Sequence, residues 1–438
     1  MDEISSRTKE GTTFLFGIAL RYATAKQLVA RMGWGLADQA LLSITNFAVG
    51  VIVARALGVV EFGAFSIAFA TYLGAMNASR AVAMQPLLIR YTGVAKVDWQ
   101  RGTGRATGMV MIVAVVAGMA CLVAAWIVGG SLGEALTAIG ITLPALLLRD
   151  AWRFAFFAAG RGRSAFANDV VLVVVLFPVL VALVLAGRTS LFLATLALGG
   201  AAAVAAVAGI FQAGVRPRPQ QAGLWWREHR DITARYGGEQ AMETVGGQIA
   251  FYAIAGIAGL GAVGSLRAAE LVLGPLNVLI QGSYLVAIAE AVRLLKRSSR
   301  GLLSACLLLS AGLVVATLSW GSIALALPEG IGIGLLGANW SPGRSVLFQA
   351  VLTLTGLCGI VGALVGLRAL AAAKRSFRAR LLSSVTMLIC AVAGAGVGGT
   401  PGAAWGFVLG NTIGVLIWWW HFAGALREHA AVAATADD

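Results

Sequence analysis

Several ionisable side chains lie inside long apolar stretches of the sequence, where a charge is costly and usually serves binding or transport. Arg80 and Arg267 carry planar, permanently charged guanidinium groups that suit phosphate oxygens. The other candidates among these ionisable side chains are acids, whose carboxylates are able to bind protons or cations in a cleft. These acids are Asp38, Glu239, Glu243 and Glu270. The arginines are candidate ligands for an anionic substrate, and the acids are candidate coupling or cleft residues.

Amide side chains in the same stretches are candidates for hydrogen bonds to the hydroxyl groups of a ligand. They are Asn46, Asn77, Gln240, Asn277 and Gln281. The alternative for each amide is a hydrogen bond that joins two helices inside a bundle.

Some of the charges also have a purely structural interpretation. Arg267 and Glu270 are three residues apart, so on a helix they share one face and are able to neutralise each other. Arg149 and Asp150 are adjacent and point about 100° apart on a helix, which favours pairing with other helices. No grouping of the four cysteines or three histidines suggests a metal site.

The elements that must position these residues are membrane-spanning helices. The 438-residue chain is 59% hydrophobic and only 12% charged, against about 25% charged in an average soluble domain. This composition excludes a soluble globular enzyme and a disordered chain. A spanning helix needs about 20 apolar residues. The sequence predicts twelve of them, over about 34–56, 62–85, 106–129, 133–158, 166–187, 189–212, 235–258, 263–290, 301–326, 345–367, 379–398 and 401–424.

The positive charges determine the orientation of these spans. The net charge is +14, and 27 of the 33 Lys and Arg residues fall on alternate loops and termini. The opposite side holds Arg55, Arg188 and Arg344. The positive-inside rule therefore places both termini in the cytoplasm. The basic composition is a topology signal, so we expect no nucleic-acid partner.

The spans divide into two groups of six with the same orientation, separated by a basic linker that contains the pair Trp225 and Trp226. We expect an all-α integral membrane protein with two parallel six-helix bundles around a central cleft. The predicted organisation is a cytoplasmic arm with an interfacial helix (1–33), a bundle (34–212), an interface-lying linker (213–234), a second bundle (235–424) and a cytoplasmic tail (425–438).

A weak internal repeat supports the two-bundle prediction. At an offset of 201 residues, Asp38 corresponds to Glu239 and Gln39 to Gln240, at the start of spans 1 and 7. Glu243 lies four residues beyond Glu239, so these two acids form one stripe. Because three acids on equivalent helices cannot all pair locally, we expect them in the cleft.

The first predicted turn carries a motif. The segment 39–70 reads QALLSITNFAVGVIVARALGVVEFGAFSIAFA, with Ala-Arg-x-Leu-Gly at 54–58, then Glu61, then Phe62-Gly63. This resembles the bacterial polysaccharide flippases of the O-antigen translocase type, in the multidrug/oligosaccharidyl-lipid/polysaccharide exporter superfamily. The motif covers about a tenth of the chain.

The resemblance implies a flippase that moves a polyprenyl-(pyro)phosphate-linked oligosaccharide to the outer leaflet of the bacterial inner membrane by alternating access, for cell-surface polysaccharide synthesis. It implies that spans 1, 2, 7 and 8 line the cleft. These four spans together also hold most of the ionisable residues that fall within the predicted spans. The expected partners are the lipid-linked oligosaccharide, membrane lipids, and a glycan polymerase or glycosyltransferase. We expect no cofactor, and transport driven by H⁺, Na⁺ or the membrane potential alone.

Three alternatives stay open. A cation-coupled multidrug or small-molecule exporter would have the same architecture, but it favours an acidic, aromatic cleft. A membrane assembly or scaffold protein would not need the charged cleft residues. A membrane enzyme such as a polymerase would need a large outer loop, whereas the longest predicted outer loop is about 327–344. No ATP-binding GxxxxGK[ST] motif occurs in the chain, so primary active transport would need a partner subunit. We expect a transporter and not an enzyme.

Overall fold

A computed structural model describes residues 33–35, 37–295 and 298–436 of the chain. At some of these positions it describes the backbone only: 232, 234–247, 277–278, 281–282, 284–286, 289 and 431–436. The predicted arm 1–33, with its interfacial helix, lies almost wholly outside the described residues. The described part is helical throughout, and its tertiary contacts group the helices into two bundles.

The first bundle contains six long helices: α1 Gly33–Ala56, α2 Val59–Tyr91, α3 Lys96–Val128, α4 Gly130–Ala158, α5 Gly162–Leu185 and α6 Leu191–Ala213. The second contains α7 Ala222–Ala258, α8 Leu260–Val272, α9 Gly274–Leu295, α10 Ser299–Leu325, α11 Glu329–Leu336, α12 Trp340–Ser345, α13 Leu347–Ala369 and α14 Ala373–Ala436.

The helix count agrees with the predicted architecture. Nine of the described helices are long and apolar enough to cross a membrane. One of them, α14, breaks at Gly398 and Gly399, where Gly399 has φ +56°, so its two limbs match the last two predicted spans. The seventh predicted span corresponds to the helix α7. The eighth corresponds to the pair α8 and α9, which is interrupted at Leu273. The predicted all-α, two-bundle membrane fold is confirmed.

Close approach of small residues holds the first bundle together. A Cβ added at Gly118 of α3 would lie 2.6 Å from the carbonyl oxygen of Gly140 in α4. Gly209 of α6 leaves room in the same way for the indole of Trp152 in α4, which is fully buried. Small residues let helix backbones approach where no hydrophobic effect drives association, so α4 lies at the centre of this bundle.

The linker differs from its prediction. Residues from Ala222 onward are already helical and continue directly into α7. Trp225 is fully buried against the first bundle, whereas Trp226 is exposed. The sequence pattern missed this because a buried tryptophan and an interface tryptophan look alike in a basic segment.

The two bundles meet tightly on the predicted outer side, at α2 and α8. A Cβ at Gly63 would lie 1.9 Å from the carbonyl oxygen of Leu260, and one at Gly264 would lie 2.1 Å from that of Val59. Each helix thus packs a glycine against the backbone at the start of the other. We call this contact the outer seal.

The short helices of the second bundle add to the outer seal. Asn339, fully buried between α11 and α12, donates from its side-chain amide to the carbonyl oxygens of Ala54 (2.5 Å) and Leu57 (2.7 Å). These carbonyls lie at the C-terminal end of α1, where backbone carbonyl groups lack N–H partners within the helix. Arg55 donates back to the carbonyl oxygen of Gly334 at 2.8 Å. The predicted outer turn is therefore a contact between the bundles.

Replacing Gly264 by alanine is expected to open the outer seal, because the added methyl group would overlap backbone atoms that cannot rotate away. A cysteine at Val60, which is 50% exposed, should then react faster with a membrane-impermeant maleimide added from outside. Gly74→Ala is the matched control, since nothing lies within 4 Å of a Cβ there. Equal labelling of the two variants would show that this contact does not seal the outer side.

Candidate functional site: a cavity between the bundles and a buried charge network

A cavity of about 650 Å³ lies between the two bundles. Its walls come from α1, α2, α4, α5 and α6 on one side and from α8 and the start of α9 on the other. The volume falls within the range of roughly 300–1,000 Å³ that is usual for ligand sites. Its outer end approaches the outer seal, since Phe62 and Gly50 contribute to the lining.

Two arginines line the cavity at different depths. Arg267 lies seven residues into α8, about 10 Å from its predicted outer end at 1.5 Å per residue. Arg149 lies nineteen residues into α4, about 28 Å from the predicted outer side. The cavity is therefore long, with a cationic group near each end.

Arg267 belongs to the second bundle and is held on two sides. It forms an ion pair with Glu270 at 2.9 Å, one helical turn away, and its guanidinium carbon lies 4.0 Å from the ring centroid of Phe251. The predicted mutual neutralisation of Arg267 and Glu270 is confirmed. Its Nε is buried and makes no hydrogen bond within the described residues.

Arg149 belongs to the first bundle and has a similar arrangement. Its Nη2 binds the carboxylate of Asp169 in α5 at 2.5 Å, and its side chain is only 8% exposed. Its Nε also makes no hydrogen bond within the described part of the chain. Arg149 thus lines the cavity with a guanidinium group that is mostly buried beside Asp169.

Behind Arg149, further ion pairs tie the helices of the first bundle together. Arg80 of α2 binds Asp150 with two nitrogens, Nε at 2.8 Å and Nη2 at 2.6 Å. Arg153 of α4 pairs with Asp38 of α1, and its Nε is 3.9 Å from Asp169. We call these groups the buried charge network. It consists of Arg80, Arg149, Arg153, Asp38, Asp150 and Asp169, three charges of each sign.

The network changes the interpretation of two predicted site residues. Arg80 was predicted to bind substrate phosphate, but its fork is occupied by Asp150 and it does not line the cavity. Asp38 was predicted to lie in the cleft, but it is fully buried, paired with Arg153, and not part of the cavity lining. The sequence could not show these pairs, because the partners lie on different helices far apart in the chain. The predicted pairing of Arg149 and Asp150 with other helices is confirmed.

The other predicted residues divide into three groups. Asn46 lines the cavity together with Arg267 and Glu270. Asn77 is half-buried and does not contribute to the lining. The side chains of the remaining five lie outside the described residues: Glu239, Gln240, Glu243, Asn277 and Gln281.

Asp169 was missed from the sequence. It lies in the first turns of the apolar helix α5, is 1% exposed, and holds Arg149. Ionisable residues inside a spanning segment usually pair with another group or face a cavity, and this rule would have identified Asp169. Its closeness to the predicted inner end made it resemble an ordinary interfacial acid.

A proline shapes α2 next to Arg80. Residues Arg80–Met84 form a π-helical turn, and Pro86 follows. Because Pro86 has no N–H, the carbonyl of Val82 loses its α-helical donor. The indole of Trp225 donates to this carbonyl at 3.2 Å. The start of α7 is thereby fixed to the bulge in α2 that carries Arg80.

The same part of α7 predicts a pH dependence of stability. His229, which precedes the predicted span, stacks on Trp225 with ring centroids 3.9 Å apart. Burial lowers the pKa of His229 below its ordinary value. The unfolded chain therefore binds a proton more readily, and stability should fall as the pH drops below about 6.5. Thermal unfolding from pH 8 to pH 5 measures this, and His229→Gln should flatten that part of the profile. An unchanged profile in His229→Gln would assign the pH dependence to other groups.

Comparisons with solved structures give the fold a context. The chain is similar to an inward-facing multidrug resistance MATE-family transporter of the MOP superfamily, with a TM-score of 0.66 and 14% identity over 91% of this chain and 96% of that one. It is also similar to the lipid II flippase MurJ in an inward closed conformation, with a TM-score of 0.67 and 11% identity over 90% of both chains. No protein-family model and no curated protein sequence matches the chain.

The similarity extends to an outward-facing MATE-family transporter of the MOP superfamily, with a TM-score of 0.54 at 14% identity over 90% of this chain and 94% of that one. The chain is thus a multi-pass membrane protein with the fold of the MATE and MurJ transporters.

Proposed function

We propose that the chain is a flippase of the O-antigen translocase type. Its substrate would be a polyprenyl-(pyro)phosphate-linked oligosaccharide, moved from the inner to the outer leaflet of the bacterial inner membrane. The observation that carries the proposal is the long cavity between the bundles, with Arg149 near one end and Arg267 near the other. Both guanidinium groups line the cavity, and both suit phosphate oxygens.

A polar route is required because an isolated ion in hydrocarbon costs tens of kcal/mol by a Born estimate. In alternating access, the diphosphate would enter from the inner side near Arg149 and leave past Arg267 once the outer seal opens. The polyprenyl tail would stay in the bilayer throughout. Opening requires loss of the Gly63–Gly264 packing and of the Asn339 hydrogen bonds.

The buried charge network bears on the energy source. Its three arginines balance its three aspartates, so Asp38 has a permanent cation beside it in Arg153. We therefore assign no H⁺ or Na⁺ coupling to Asp38 and propose that the membrane potential drives export. A head group with about two negative charges gains roughly 2.3 kcal/mol per charge for every 100 mV when it moves outward.

Multidrug export is the second candidate. It is favoured by Glu270 and by the aromatic rings that line the cavity beside α2, because a hydrophobic cation prefers an acidic, aromatic site. The two candidates differ in the sign of the substrate charge. Glu270→Gln should weaken a cation exporter, whereas Arg267→Gln should weaken a flippase of anionic lipids.

Deletion of the gene tests the proposal in the cell. Lipid-linked oligosaccharide should accumulate on the cytoplasmic face of the inner membrane, and the wild-type chain should restore export. Unchanged glycans with new drug sensitivity would favour the multidrug exporter. A scaffold, which could also recruit a glycan polymerase or glycosyltransferase, predicts that Arg267→Gln restores export as well as the wild type.

A further inference from the structure

Four aromatic rings form a ladder on the face of α2 that borders the cavity. Phe62, Phe65, Phe69 and Tyr72 are spaced by three, four and three residues, so they share one face of the helix. Consecutive ring centroids are 6.5, 5.9 and 5.5 Å apart, and the first three rings are nearly parallel. The ladder extends about 15 Å along the helix. Phe62, Phe65 and Tyr72 are buried, whereas Phe69 is half-buried and leaves part of its ring accessible.

The wall beside it on α1 is polar. Gln39, Ser43 and Asn46 are spaced by four and three residues, which again places them on one face, and all three line the cavity. Asn46 and Gln39 are exposed and Ser43 is half-buried. This polar stripe offers amide and hydroxyl groups over about 10 Å of the same cavity.

The two walls together match one kind of ligand. A pyranose ring has a face rich in C–H groups and a rim of hydroxyls. The negative face of an aromatic ring attracts polarised C–H groups, while amides and hydroxyls bind the rim. A wholly apolar ligand would instead bury the amide of Asn46 without a hydrogen bond, which is costly, whereas the side-chain oxygen of Gln39 already accepts from Arg153 at 3.1 Å.

We infer that Phe69 and the polar stripe form the glycan subsite of the cavity, where a sugar ring stacks on the accessible part of Phe69 between Arg149 and Arg267. The inference rests on the proposed function, and it names the part of the substrate that α2 recognises. Since stacking requires only a C–H face, the subsite would accept pyranoses of different identity. It would also distinguish a glycan-bearing lipid from the bare lipid diphosphate.

The test compares two soluble probes that differ only in the glycan, farnesyl diphosphate and farnesyl diphosphate linked to N,N′-diacetylchitobiose. Binding of each is measured by calorimetry to the full chain in detergent. Phe69→Leu keeps the half-buried position apolar and should weaken the glycan-bearing probe about three- to tenfold. The bare diphosphate should bind unchanged. Phe211→Leu is the control, because that ring is 80% exposed and lies outside the cavity lining.

Phe69→Trp, which keeps a stacking face, should retain glycan binding and so separates stacking from packing. The inference is overturned if Phe69→Leu weakens both probes equally, or weakens neither. Failure of the proposed function has a different signature, in which the wild-type chain binds neither probe.

Discussion

Replacing Asp150 by alanine is expected to destabilise the protein by about 3–5 kcal/mol, the usual cost of removing one partner of a buried ion pair. The change leaves the Arg80 guanidinium, 22% exposed, without the carboxylate that binds two of its nitrogens. Unfolding by denaturant titration in detergent measures the loss. Most of the cost comes from the charge left behind, so Arg80→Leu combined with Asp150→Leu should recover much of it.

Asp98→Ala is the matched control for this prediction. Its partner Arg101 lies 3.8 Å away, and both side chains are 58% exposed, so the expected loss is below about 1 kcal/mol. If Asp150→Ala lost no more stability than Asp98→Ala, the buried charge network would not be a structural element. The assignment of Arg80 to substrate binding would then regain its support.

Arg267→Gln is expected to have the largest effect on function, with a loss of about 10- to 100-fold in affinity for a lipid diphosphate. This corresponds to one hydrogen-bonded contact to a charged group. Folding should change little, because the Arg267–Glu270 pair is partly exposed and lies within one helical turn. Binding of farnesyl diphosphate to both proteins checks the loss.

Glu270→Gln is the companion variant, because it removes the acid that competes for the same guanidinium. Affinity for the diphosphate should hold or rise. The opposite pattern, with Glu270→Gln impairing export of a hydrophobic cation such as ethidium and Arg267→Gln having no effect, would assign the chain to multidrug export.

The sequence predicted most of the architecture because membrane topology depends on signals that are local in the chain. The length of each apolar run and the alternation of basic loops are sufficient for the number of spans. The exception was the start of α7, where the buried Trp225 donates to the carbonyl oxygen of Val82, a residue 143 positions earlier in the chain. A contact of that kind is visible only once the two helices are known to be neighbours.

The site was predicted less well, because the role of an intramembrane charge depends on which helix faces it. Arg267 and Glu270 could be paired from their spacing, since both lie on one helix. Arg80 and Asp150, on α2 and α4, could not. The same limit explains why Arg149 was treated as structural, although it both binds Asp169 and lines the cavity.

The central proposal for this protein is that the cavity carries an anionic, glycan-bearing lipid across the bilayer. The direct measurement places purified protein in vesicles with a polyprenyl-diphosphate-linked oligosaccharide in one leaflet and follows its appearance in the other with an impermeant glycan-modifying enzyme. We predict transfer that rises with a membrane potential favouring anion movement, is much slower with Arg267→Gln, and is unchanged with Asp98→Ala. Transfer no faster than in protein-free vesicles, with ethidium transported by the same preparation, would contradict the account.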